Sequence, residues 1–232
     1  MNMATAPSPD DFIIVKTTLP ARPLPPNAQR QTIKTGRLVL RPLGQSDIAA
    51  FHSLRSQPEV MHFTMQGRVD KDVAETQSRL EPFLPPNDIE NHNFAICLKE
   101  TGEMIGVGGN HNFVSSFGWP EVGYMIRKEQ WGQGLAPEFL RAFLAAWQKL
   151  PRVEAEVKVD PRSVDGLPQD GGGLVPEQLI AVTELENVRS QKMLHKCGFD
   201  LFLTWKAQDT SGQNGELIDL PTFRFFSNKK IS

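Results

Sequence analysis

Gly132 and Gly134 stand between a β-branched apolar run, Val122 to Ile126, and a run in which Phe139, Leu140, Phe143, Leu144 and Trp147 recur at helical spacing. Glycines at the entrance of a helix suit one chemistry in particular, the holding of a phosphate. Without a Cβ the backbone can approach a ligand closely and aim successive N–H groups at it. The helix N-terminus adds unpaired N–H groups and roughly half a positive charge. Pro137 fits the first turn, where a missing N–H costs nothing. A pyrophosphate-bearing ligand is the expected occupant, with a plain strand-to-helix turn as the alternative. Two phosphate loops do not fit. A P-loop needs Lys-Ser or Lys-Thr after its second glycine, where Leu135-Ala136 stand, and a dinucleotide fingerprint needs Gly or Ala where Pro137 stands.

The elements that position this loop follow from periodicity. Residues 1 to about 33 carry Pro20, Pro23, Pro25 and Pro26 and read as an extended arm in which only Phe12 to Val15 suggests a strand. From residue 34 to 228 the pattern is one domain. A strand over Arg37 to Leu43 leads to a helix capped by Ser46, with Ile48, Phe51 and Leu54 on one face. A second helix is expected from about Asp70 to Phe83, with Val73, Leu80 and Leu84 at helical spacing, before Pro85-Pro86 ends it. Phe94 to Leu98, Met104 to Gly108 and Glu121 to Ile126 read as an antiparallel meander. The alternation of Val153 to Val159 suggests an extra strand with one wet face. Residues 160–177, with their prolines and Gly171-Gly172-Gly173, read as an insertion loop. A strand over Leu179 to Val182, a helix from Asn187 to Cys197 stopped by Gly198, and strands Leu201 to Trp205 and Phe223 to Phe226 complete the pattern.

Composition narrows the function. A length of 232 residues with a net charge of −2 offers a substantial core and no basic footprint for nucleic acid. No apolar run approaches the ~20 residues of a membrane span, and no signal-peptide layout opens the chain. The two cysteines, Cys97 and Cys197, lie in apolar surroundings and suggest no disulfide framework, so a cytoplasmic setting is expected. The histidines show no metal-ligand spacing, and no metal is expected.

Three blocks, in order, carry a family resemblance. Trp131-Gly132-Gln133-Gly134-Leu135-Ala136 resembles the acetyl-CoA pyrophosphate loop of the GNAT superfamily of N-acetyltransferases, with Trp131 where Gln or Arg is usual. Asn187 to Phe199 resembles that family's last core helix, and Arg37 to Leu43 with Ser46-Asp47 its first strand and helix start. Glu121-Val122-Gly123-Tyr124 and Ala136-Pro137-Glu138 resemble the branch that acetylates ribosomal-protein N-termini. The resemblance implies an α/β (α+β) fold, a mixed and mostly antiparallel twisted sheet of about six to seven strands flanked by about four helices.

It also implies a reaction in which a primary amine, of a protein N-terminus or a small molecule, attacks the acetyl-CoA thioester directly in a ternary complex. Met125 and Ile126 would bind the pantetheine arm through their backbone, and Trp131, Gly132, Gln133, Gly134, Leu135 and Ala136 the pyrophosphate. Glu121 is the candidate base, with Glu184 second. Many relatives place an acidic Tyr on the last helix, but Leu194 stands there, and the chain's one tyrosine is Tyr124. That leaves Ser190, or a water held by Asn187, to protonate the leaving thiolate; both residues are equally helix-capping candidates and lie where the cofactor would pass. The competing reading is a non-catalytic acyl-CoA-binding module or a scaffold with the same fold. The expected partner is the amine, with no nucleic acid and no membrane, for a monomer or homodimer. Acceptor choice is expected in loops 62–72, 110–120 and 160–177.

Overall fold

The computed structural model describes residues 4–166, 174–208 and 217–228. Its ten strands are β1 (Ile13–Pro20), β2 (Ile33–Lys34), β3 (Leu38–Arg41), β4 (His92–Leu98), β5 (Met104–Asn112), β6 (Glu121–Ile126), β7 (Arg152–Val159), β8 (Gln178–Val182), β9 (Asp200–Gln208) and β10 (Leu217–Phe226). Eight of them form one sheet in the order β2-β3-β4-β5-β6-β8-β10-β9, antiparallel throughout except where β6 meets β8. Five α-helices, α1 (Ile48–Arg55), α2 (Pro58–Met61), α3 (Val73–Leu80), α4 (Leu135–Trp147) and α5 (Val188–Lys196), cover its two faces. The expected mixed, mostly antiparallel architecture holds, with one more strand in the main sheet and one more helix.

Strand alternation divides the core. Leu38, Leu40, Phe94, Ile96, Val122 and Ile126 pack against Phe139, Leu140, Phe143, Leu144 and Trp147 of α4 and Met193 and Leu194 of α5. Ala95, Cys97, Met104 and Val107 face the other way, toward Phe51, Leu54, Val60 and Leu80 of α1 to α3. Both cysteines are free and buried.

Two expectations need correction. Ser46 does not cap α1; the preceding turn is held by Asp47, which accepts from the Gly44 N–H (2.9 Å) and from Arg41. The second helix is shorter than expected, because Asp72 caps it by accepting from the Glu75 N–H (2.8 Å) and Pro82 ends it in a 3₁₀ turn. Val73 is consequently 51% exposed and not a core residue. The expected extra strand over 153–159 forms outside the main sheet. It pairs with β1 of the N-terminal arm in full antiparallel register, Ile13 opposite Val159 through Pro20 opposite Arg152.

The arm is therefore packed rather than solvated. Val15, Leu19 and Leu24 are buried, and Arg30 spends its guanidinium on the carbonyls of Pro25, Asp88, Asn91 and Asn93. Of the insertion, residues 167–173 lie outside the described residues; Ser163 anchors its start by accepting from Trp119 Nε1 at 2.9 Å.

Candidate active site

The sheet is incomplete at one place. β6 and β8 run parallel and share a single register pair, Glu121 with Ile180, locked by the Ile180 N–H to the Pro120 carbonyl at 2.8 Å. Past that point β8 stays with β10, and no described strand covers the β8-facing edge of β6. A cleft with a polar backbone wall thus opens from Glu121 toward Ile126, roughly 17 Å along the strand. Glu121 sits at its apex; Met125 and Ile126 sit at its wide end, where the Ile126 carbonyl accepts from Trp131 Nε1 (2.7 Å).

The glycine turn lies just beyond. Gly132 and Gly134 both take φ 75°, the left-handed region. A Cβ on Gly132 would meet no protein atom within 4 Å, so the turn faces open space. Gly134 is the N-cap of α4 and supplies no side-chain cap, which leaves the first N–H groups of a 13-residue helix without a side-chain acceptor. The Leu135 side chain is buried in the core, while Ala136 and Gln133 border the turn. Arg37 fixes the loop from below, donating to the carbonyls of Gln133 (2.7 Å) and Gly134 (3.2 Å). On the opposite lip, Arg189 of α5 stands over the Trp131 ring at 5.4 Å. Two cations flanking uncapped N–H groups suit an anion.

At the apex, the Asn110 side chain donates to the carbonyls of Glu121 (2.9 Å) and Asn112 (2.8 Å), holding the bulge where β5 and β6 change register. Glu121 keeps 19% of its side chain exposed, and burial pushes its carboxyl up to about 7. His111 is its neighbour, Nε2 to Oε1 at 3.8 Å, too long for a hydrogen bond. The imidazole lies over Gly123, where a Cβ would come within 2.9 Å of the ring. Burial of the ring against Gly123 holds His111 below the ordinary histidine range. Burial disfavours the charged form of each group, and at 3.8 Å no hydrogen bond joins them.

Across the cleft, Asn187 caps α5 by accepting from the Ser190 N–H (3.1 Å). Ser190 is not a cap: its Oγ accepts from the Tyr124 hydroxyl of β6 at 3.3 Å. Leu194 is buried in the core. Glu184 lies beyond β8 in the turn to α5, its carbonyl accepting from Asn187 and Gln191.

This arrangement has known relatives. The sequence pattern of the acetyltransferase (GNAT) domain matches residues 37–200, more than half of the chain. The chain belongs to the GNAT acetyltransferase family. An uncharacterized N-acetyltransferase p20 from Bacillus licheniformis is 28% identical over 142 residues, which cover 59% of this chain and 78% of that protein. A Vibrio cholerae protein assigned as a ribosomal-protein-serine acetyltransferase superposes with a TM-score of 0.58 at 19% identity, over 84% of this chain and 97% of that one. The spermidine N-acetyltransferase of Vibrio cholerae, solved with CoA and spermine, gives 0.60 at 16% identity, over 84% and 98%. The likeness to the two solved structures is one of fold.

Within this GNAT domain the structure gathers Glu121, Asn187, Ser190 and the glycine turn around one cleft. It adds Arg37, His111, Tyr124 and Arg189, which sequence reasoning did not assign. Arg37 and Arg189 lie inside the motif blocks, but only the fold brings them to the loop. Among the described residues no group of three or more His, Cys, Asp or Glu is placed to hold a metal, and no helix is long and apolar enough to cross a membrane.

Proposed function

We propose that this GNAT acetyltransferase is acetyl-CoA-dependent and moves the acetyl group to a primary amine by direct attack in a ternary complex. The observation that carries this reading is the open edge of β6, which runs from the uncapped glycine turn to a carboxyl held near neutrality. Gly132, Gln133, Gly134, Leu135 and Ala136 hold the pyrophosphate through backbone N–H groups, with Trp131 closing the turn. Backbone groups around Met125 and Ile126 line the pantetheine path. Acetyl-CoA, when bound, supplies an activated thioester at the apex.

Glu121 takes the proton that the amine must lose. A carboxyl near 7 is matched to that task at neutral pH. How much the base is needed depends on the acceptor. A lysine-type amine is unprotonated in roughly one molecule in 2,500 at pH 7, an α-amine in roughly one in 10. The absent side chain of Gly123 is what lets the His111 ring lie beside Glu121.

The test is thermal unfolding with and without acetyl-CoA, followed by thiol release with spermine, a Ser-led peptide and an Ala-led peptide. Saturation at 100 times the dissociation constant stabilises by about 2.7 kcal/mol, a rise of roughly 5 to 10 °C in the midpoint. No rise at millimolar acetyl-CoA would overturn the reading; a rise without thiol release from any amine would favour the binding-module alternative.

A further inference from the structure

Glu121 does not stand alone at the apex. The β5 register jumps from Asn110 opposite Val122 to Asn112 opposite Glu121, so His111 is the extra residue of the bulge. Its ring turns over Gly123, where a Cβ would come within 2.9 Å of it. That placement brings Nε2 to 3.8 Å from Glu121 Oε1, and 40% of the His111 side chain and 19% of the Glu121 side chain reach solvent there. The Gly109 carbonyl accepts from the ring. With Nε2 turned toward Glu121, Nδ1 is the nitrogen left for that bond, and Nε2 keeps a lone pair. The gap is too long for a hydrogen bond and suits one atom between the two. A nitrogen about 2.9 Å from each acceptor sees them roughly 80° apart, within reach of two N–H bonds on one tetrahedral centre.

We infer that His111 is a specificity-determining residue: its Nε2 accepts the N–H that the acceptor amine keeps, while Glu121 takes the one it loses, so the site selects primary over secondary amines. This rests on the proposed function. A primary amine presents two N–H groups. As it attacks, the nitrogen–carbon bond forms and the carbon–sulfur bond breaks, its electron pair going to sulfur. One amine proton passes to Glu121, which returns it to solvent, and the released thiolate takes one from solvent. The other hydrogen stays on nitrogen as the amide N–H, and His111 Nε2 is the acceptor placed for it. A secondary amine has a single hydrogen, which Glu121 must take; its second substituent would then meet the Nε2 lone pair and leave it unpaired. The bond to His111 strengthens as the nitrogen turns positive, so it acts on the chemical step more than on binding. Burial that keeps the ring neutral serves this role, since an imidazolium has no lone pair to offer.

The test sets one missing N–H on the amine against one missing acceptor on the protein. The Ala-led peptide and its N-methylalanine-led counterpart, and spermine and its terminally N-methylated form, are each measured as substrate and as competitive inhibitor. The proteins are the wild type, His111→Phe, which keeps a ring over Gly123, and His111→Gln, which returns an acceptor oxygen. His111→Phe should slow kcat with the primary amines about tenfold, as for one hydrogen bond, at unchanged acetyl-CoA affinity. Rates and inhibition constants for the N-methyl amines should stay within about twofold, the acceptor having no N–H left to take. His111→Gln should recover most of the primary-amine rate. Equal losses with both kinds of amine, no loss with the primary ones, or a His111→Gln no faster than His111→Phe would overturn the inference while leaving the function standing. A wild type that acetyl-CoA does not stabilise, or that acetylates no amine of the panel, would overturn the function and this inference with it.

Discussion

Arg37 donates its Nε–H to Glu138 Oε2 at 2.8 Å, tying the start of β3 to the first turn of α4. Glu138 also accepts from the Arg37 N–H (2.8 Å) and Thr35 Oγ1 (2.6 Å), so its carboxylate is held below its usual range; burial opposes this, and the hydrogen bonds outweigh it. The rest of the guanidinium holds the carbonyls of Gln133 and Gly134. The pair shapes the glycine turn without occupying it. Arg37→Ala should cost little stability, about 1 kcal/mol for a half-exposed pair, while weakening acetyl-CoA binding about tenfold by freeing the turn. Calorimetric titration checks this; unchanged affinity would mean that the turn holds its shape without Arg37.

Gly134 separates binding from folding. Its φ is 75°, and a side chain there meets little protein, the nearest atom to its Cβ being Arg37 Nη2 at 3.5 Å. Gly134→Glu should cost about 1 to 2 kcal/mol in backbone strain. It should also abolish the acetyl-CoA-dependent rise in the unfolding midpoint, because a carboxylate would stand where the phosphates must come. A variant with wild-type affinity would place the pyrophosphate elsewhere.

Glu121 links stability and pH in the direction opposite to most carboxylates. Its folded pKa of about 7 lies above the unfolded value of 4.5, so the folded state binds more protons between them. Its contribution is therefore favourable at low pH and declines as pH rises from 4.5 through 7. Glu121→Gln should stabilise the fold at pH 8 by on the order of 3 kcal/mol and slow transfer to a lysine-type amine at least 100-fold. The wild-type acidic limb of kcat/KM near pH 7 should vanish in the variant. Urea unfolding and a pH–rate profile read the two effects; an unchanged profile would remove Glu121 as the base.

Much of this was legible in sequence because local chemistry decided it. The glycines before α4, the apolar stripe from Phe139 to Trp147 and Gly198 past α5 (φ 86°) each act within a few residues of themselves. What escaped depends on contacts distant in sequence. Nothing near Ile13 says that its strand pairs with Val159, nor does anything near Arg30 name carbonyls some sixty residues away. Tyr124 read as a strand residue, and only the fold brings it to Ser190, 66 residues on. Helical spacing does not say where a helix starts: Asp72 caps α3 directly before Val73, which lies exposed in the first turn.

Asp70 and Arg55 hold the 62–72 segment to α1. The Asp70 side chain is fully buried and that of Arg55 9% exposed. The carboxylate accepts from Arg55 Nε (2.7 Å) and Nη2 (2.9 Å), Thr76 Oγ1 (2.7 Å) and Gln66 Nε2 (2.8 Å). Burial alone would raise its pKa, but these donors outweigh it and bring it down to about 2. A depressed carboxylate contributes fully above its unfolded pKa of about 3.9, and the contribution is lost as pH falls from there to 2. It amounts to about 2 kcal/mol. Asp70→Asn keeps the shape but leaves the Arg55 charge buried and unpaired, and should cost about 3 to 5 kcal/mol at pH 7. Measured against pH, the gap between wild type and variant should narrow below pH 4, since protonation of Asp70 mimics the substitution. Because the segment borders the expected acceptor side, the variant should also raise KM for the amine more than for acetyl-CoA. A variant as stable as the wild type at pH 7 would show that the pair only offsets its own desolvation.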